Sequence, residues 1–199
     1  EALTAKIRSW NRREVVSVSA FVEGQAILRS ERNATGVLVK GIDPLNEDLS
    51  IFGEGLRWGT LDLEPVERMQ VNRSFFGLFK KIERRFTPAI VIGENLAAIL
   101  GVGPEDSVSL IAPFVEPGKP FSLEQAETLT FRVAGIFRLG MSDFDGGLAI
   151  VRLDEAQALY HLGSRVSGLG ARFRDVDQAA SLKNYFQIGL GPDYWIRTW

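Results

Sequence analysis

Two carboxylates, Asp143 and Asp145, alternate ahead of a glycine pair in "MSDFDGGLAI", a spacing that could wrap a cation. An EF-hand loop needs further oxygen ligands and a distal Glu at set spacing, and neither follows here. The two read instead as turn carboxylates that accept backbone N–H groups. Glu105 and Asp106 form a second acid pair, in "GVGPED". His161 is the single histidine, in "ALYHLG" at the end of a predicted helix, where the helix dipole favours a cation. Cysteine is absent, which removes disulfides, thiolate ligands and cysteine nucleophiles. One His without Cys cannot build the common zinc sites. "GVGPED" and "IGLGPD" carry glycines without a dinucleotide or Walker pattern. Ser107, Ser109 and Ser142 lack a nucleophile-elbow context. No nucleophile, base and oxyanion site assemble, so the chain reads as no enzyme, with no catalytic residue, no metal and no cofactor.

Binding surfaces remain. Ser107–Ala112 (SVSLIA) and Leu129–Phe137 (LTFRVAGIF) read as strands, being β-branched and apolar. Pro113–Thr128 joins them, far longer than a hairpin loop of two to five residues. This arm carries Phe114, Val115, Glu116, Pro117, Gly118, Lys119, Pro120 and Phe121. Pro117-Gly118 is a turn signature, and proline lowers the entropy lost on docking. Two readings stay open: presentation of the apolar side chains to a partner, or folding back over the chain's own core. A second surface is "FFGLFKKIERRF" (Phe75–Phe86). Phe75, Phe76 and Phe79 either lie on a membrane or grip an acyl chain, or face a core. Lys80, Lys81, Arg84 and Arg85 read as a solvated helix face.

The elements that must position these surfaces follow from periodicity. Leu3, Ile7 and Trp10 predict a short helix over 2–10. Val15–Leu28 alternates as a strand, and Gly36–Gly41 completes a hairpin with it. Pro44, Gly53, Gly55 and Gly59 break the next stretch into loops with short helical turns. Residues 66–86 are readable as a helix or a mobile loop. Ala89–Ile92 is a strand, and Glu94–Leu100 a helix ended by Gly101. Leu148–Val151 is a strand, Leu153–His161 a helix capped at Gly163, and Val166–Phe173 a strand. Val176–Phe186 is a helix and Tyr194–Trp199 a final strand. Elements from both termini then share one lobe, with a β-rich lobe inserted between them.

The chain has 199 residues, 45% hydrophobic and 24% charged, the composition of a folded globular chain. A net charge of −2 gives no broad attraction to nucleic acid or anionic lipid. No run reaches the roughly 20 apolar residues of a membrane span. The first residue is not Met, and the chain reads as a segment of a longer protein whose flanks could hold membrane helices.

"GVLVKGIDP" (36–44), "AIVIGENLAAILGV" (89–102) with "DSVSLIAP" (106–113), "FRVAGIF" (131–137) and "GLAIVRLDEAQAL" (147–159) resemble the periplasmic domains of the lipoprotein-releasing permeases LolC and LolE, within the MacB-like superfamily. The resemblance implies an α+β domain of a bacterial inner-membrane ABC permease. It implies a Porter lobe over 1–40 and 164–199, an inserted Sabre lobe over 41–163, and a Hook at the arm, 113–128. It implies docking of the periplasmic chaperone LolA on the Hook of LolC-type domains, or receipt of lipoprotein by LolE-type ones. A partner permease subunit and the cytoplasmic ATPase LolD would be engaged through the full-length protein. The alternative within this fold is a MacB- or FtsX-like permease in efflux or envelope signalling. A lipid- or peptide-binding module is a third reading. Family members often carry Gly where this chain has Glu105, and Glu124, Gln125 and Glu127 make the second limb of the arm acidic.

Overall fold

The computed structural model of the chain describes residues 7, 9, 15–73, 80–112, 126–174, 179–192 and 194–197. It contains two compact units, Glu1–Ser19 with Leu169–Trp199, and Ala20–Gly168.

The strands are β1 (Val15–Arg29), β2 (Ala34–Ile42), β3 (Leu56–Gly59), β4 (Val66–Arg73), β5 (Lys80–Thr87), β6 (Ala89–Gly93), β7 (Ser107–Ala112), β8 (Glu127–Phe137), β9 (Leu148–Arg152) and β10 (Gly168–Phe173). The helices are α1 (Ser50–Glu54), α2 (Glu94–Leu100), α3 (Ser142–Gly147), α4 (Leu153–Leu159) and α5 (Ala179–Leu190). The expected β1–β2 hairpin is present, in register from Phe21↔Ile42 to Arg29↔Ala34. Ser30 closes its turn, its hydroxyl accepting from the amides of Arg32 and Asn33, each at 3.1 Å.

In the larger unit six strands close into a ring. The hydrogen-bonded order is β1-β2-β9-β6-β8, and β7 pairs with both β8 and β1. β2 with β9 and β6 with β8 are parallel, and the other ring pairs antiparallel. Each ring strand is thereby paired on both sides along part of its length, and the edge of β8 beyond β7 is taken by β3. Alternation of side chains then defines an inside and an outside. One buried cluster draws on all six ring strands, including Val22, Val39, Ile92, Leu110, Phe131 and Val151, and is the ring's interior. Helices α2 and α4 add Leu96, Leu100, Ala156 and Leu159 to it. A second cluster uses the opposite faces of β6, β8 and β9, through Val91, Phe137 and Ile150, with Phe52, Leu61 and Leu63 from the segment after β2.

Arg132 is the joint of the ring, since it lies opposite Ala89 of β6 and Ser107 of β7 at once. Its side chain is nearly buried and donates to Glu105 Oε1 at 2.5 Å. Glu105 has φ 73°, the left-handed conformation that glycine accepts most readily.

The smaller unit has its own core, in which Ile7, Val18 and Phe186 are buried with Leu169, Phe173 and Ile196 against them. Ile7 and Ser9 are helical, in keeping with the predicted first helix, whose other residues lie outside those described.

Several expectations are corrected. Within 66–86, read as a helix or a mobile loop, Val66–Arg73 and Lys80–Thr87 are instead the paired strands β4 and β5 of an antiparallel ribbon. Lys80, Lys81, Arg84 and Arg85 therefore sit on a strand, which sends successive residues to opposite faces instead of gathering them on one. β3 is a strand in a stretch read as loops and helical turns. Helix α4 ends at Leu159, and His161, at φ 52°, makes the left-handed step before Gly163 does. Residues 194–197 have no regular structure. Gln187 Nε2 donates to the carbonyls of Gly191 (3.1 Å) and Tyr194 (2.7 Å), holding the segment against the end of α5 rather than along a strand.

Candidate interaction site

The arm springs from the ring. β7 and β8 pair from Ser107↔Arg132 to Ala112↔Glu127. β8 begins at Glu127, two residues before the predicted start, so the connection runs over 113–126. All eight arm residues singled out above, Phe114 to Phe121, lie outside the described residues, as do Phe75, Phe76 and Phe79 between β4 and β5.

The mount of the arm is fully described. Val108 and Leu110 of β7 lie opposite Phe131 and Leu129 of β8, and this apolar row belongs to the ring interior. On the alternate positions Ser109 and Thr130 bring their hydroxyls to 3.4 Å. Across β7, Ile27, Leu28 and Arg29 of β1 pair with Ile111, Leu110 and Ser109. Both limbs of the arm therefore start from strands whose inward faces are buried.

The end of α4 also reaches this mount. His161 Nε2 lies 3.4 Å from an oxygen, Oε2, of Glu127, the first residue of β8 and the pairing nearest the arm. Tyr160 beside it packs against the interior cluster, with its ring over Gly24. The Tyr160 hydroxyl is buried without a hydrogen-bond partner among the described residues, and burial pushes its pKa up. The sequence identified His161 as a helix-end residue but held no signal for its carboxylate neighbour 34 positions earlier.

Along α4 an open depression of about 530 Å³ is lined by Asp154, Gln157, Ala158, His161 and Gly163. At its start Arg152 pairs with Glu64 and with Asp154. Burial pushes the Asp154 carboxyl up, but the hydrogen bond and charge of Arg152 outweigh it and hold Asp154 below the usual range. Glu155 is raised, first by burial and then by the Asp154 charge. This is an ion-paired helix start on an open surface, unlike the enclosed apolar pocket that small ligands favour.

Of the two aspartates, Asp145 behaves as the expected turn carboxylate. Asp145 is buried, and its two oxygens accept from the amides of Leu139 (2.7 Å) and Gly140 (3.0 Å). Asp143 is exposed in the same short helix. Among the described residues no three His, Cys, Asp or Glu converge to hold a metal. Asp145→Ala strands two amides, so urea denaturation is expected to show a loss of about 2–3 kcal/mol. Asp145→Asn, which keeps one acceptor oxygen, should lose less; equal losses would mean the hydrogen bonds are not the cause.

The overall fold is similar to that of solved transporter domains. The extracellular domain of the noncanonic ABC-type transporter YknZ from Gram-positive bacteria superposes with a TM-score of 0.50 at 13% identity, over 96% of this chain and 83% of that one. The periplasmic region of MacB from Actinobacillus actinomycetemcomitans gives 0.50 at 15% identity, over 94% and 73%. The fold is thus that of the MacB-like periplasmic domains. In sequence the chain is 25% identical over 187 residues, 93% of its length, to the lipoprotein-releasing system transmembrane protein LolC of Xylella fastidiosa. It is 27% identical over 195 residues, 95% of its length, to LolC of Neisseria meningitidis. The chain is thus similar along more than nine-tenths of its length to proteins named LolC. It spans about 40% of the length of these curated relatives. No family model matches it. Among the described residues no helix is long and apolar enough to cross a membrane.

Proposed function

We propose that this chain is the non-catalytic periplasmic domain of a lipoprotein-releasing ABC permease, and that it helps pass outer-membrane lipoproteins from the inner membrane to the chaperone LolA. The observation that carries this reading is the likeness to LolC along more than nine-tenths of the chain. The arm adds support, being a 14-residue insertion on a buried, doubly paired β7–β8 mount. In this reading residues 1–40 with 164–199 form the Porter-like lobe and residues 41–163 the inserted Sabre-like lobe. Residues 113–128 are the Hook, with Phe114, Val115, Pro117 and Phe121 as the chaperone contact. The partner permease subunit and the ATPase LolD act through the full-length protein. Phe75, Phe76 and Phe79 are assigned to contact with cargo or membrane.

The test is capture of LolA by the purified chain, with Phe114→Asp and Phe121→Asp as variants. Buried aromatic anchors contribute about 2 kcal/mol or more each, so each variant should weaken binding at least roughly thirtyfold. Circular dichroism should show unchanged folding. Unaltered binding in both variants would overturn the Hook assignment. Failure of the unsubstituted chain to bind LolA would favour the second reading, a MacB- or FtsX-like role in efflux or envelope signalling, which the likeness to YknZ and MacB supports.

A further inference from the structure

Strands β4 and β5 form a two-stranded sheet of their own, with no third strand on either edge among the described residues. A lone ribbon of this kind is marginal in water. Its register makes matters worse. Arg68 stands directly opposite Arg85, and Arg73 directly opposite Lys80. Like charges facing each other across strands are destabilising. An anion laid against the ribbon would remove that repulsion.

The charge is local. The two strands hold six Lys and Arg against two Glu, a net +4, which leaves −6 on the remainder of the chain. Strand alternation divides the ribbon into two faces. One carries Arg68, Lys81 and Arg85 with Glu83. The other carries Arg73, Lys80 and Arg84 with Glu67, and on it also fall Met69, Val71, Ile82 and Phe86. Both faces are therefore basic, and one has an apolar row among its cations. Phe86 is 66% exposed.

We propose that the β4–β5 ribbon binds the surface of an anionic phospholipid bilayer. Headgroup phosphates satisfy the cations, and the boundary with the acyl chains accepts the apolar row. A ribbon basic on both faces suits a fluid layer of headgroups that can close around it. A single protein interface would meet one face and leave the other frustrated. The proposal rests on reading the chain as a domain of a membrane permease.

The test is sedimentation of the purified chain with vesicles of phosphatidylglycerol and phosphatidylcholine, against vesicles of phosphatidylcholine alone. The chain should pellet only with the anionic vesicles, and less as salt rises. The Arg68→Gln, Arg73→Gln, Lys80→Gln, Arg85→Gln quadruple variant should bind several hundredfold more weakly, at on the order of fivefold per cation removed. Its thermal unfolding should occur at the same temperature or higher, because both repulsive pairs are gone. Binding to neutral vesicles as strong as to anionic ones would overturn the proposal. So would full anionic binding by the folded quadruple variant, or no binding by the unsubstituted chain, in which case an acidic protein is the better occupant. The assay contains no chaperone, so its failure leaves the arm reading to be decided by LolA capture.

Discussion

Phe131→Ala should lower the unfolding free energy by about 3–5 kcal/mol, the range for truncating a fully buried aromatic. Phe131 is 0% exposed, lies opposite Val108 of β7, and fills the interior of the strand ring. The loss combines the transfer of the ring from the core with a cavity that six hydrogen-bonded strands cannot collapse around. The effect should extend beyond stability, because Phe131 sits in the strand that carries the second limb of the arm. Chemical denaturation measures the first part. Hydrogen exchange at Leu110 and Ile111 measures the second, and should speed up more than exchange in β2. A loss below about 1 kcal/mol would show that the site repacks and that the ring is softer than its closure implies.

Gly59→Ala is expected to cost about 3 kcal/mol, for two separate reasons that add: overpacking of about 1–3 kcal/mol and a left-handed backbone of about 1 kcal/mol or more. Gly59 has φ 77°, and a Cβ there would lie 2.1 Å from the Ala134 carbonyl oxygen. That oxygen already accepts the Thr60 amide at 2.8 Å, where β3 is bulged against β8. Backbone on both sides leaves nothing soft to move. Gly101→Ala is the matched comparison. Gly101 shares the positive φ, 65°, as the cap of α2, but its nearest neighbour is the flexible Arg32 side chain at 3.2 Å. It should lose only about 1 kcal/mol, the conformational part alone. Equal losses in thermal melts of the two variants would mean that crowding at Gly59 is relieved by a shift of β3.

Where local chemistry decides the outcome, the sequence was legible. β1 and β2 alternate cleanly, α2 runs into a left-handed glycine, and the long β7–β8 connection stands out by its length alone. Asp145 could be read as a turn carboxylate because its partners, Leu139 and Gly140, are within six residues. Closure of the ring was not legible, since it depends on Ile27 meeting Ile111, a pairing no local pattern encodes. β3 is a strand because β8 offers it an edge, while its own glycine and its neighbours argue for a loop. The ribbon was hidden for a different reason. "KKIERRF" groups four cations as an amphipathic helix would, and only the pairing with Val66–Arg73 makes it a strand. At the other end, Tyr194, Trp195 and Ile196 have strand propensity, but one glutamine side chain holds the backbone elsewhere. The chaperone-facing assignment came from resemblance and not from geometry, and the arm substitutions are its test.

Ring closure has a mechanical consequence for anything that pulls on the arm. β7 is bonded on one side to β8 and on the other to β1, so a load along it falls on two ladders at once. Tension applied parallel to strands shears many hydrogen bonds together instead of unzipping them one by one. Arg132, which faces both β6 and β7, carries that load around the circumference. A force on either limb of the arm is thus borne by a hoop rather than by a flap.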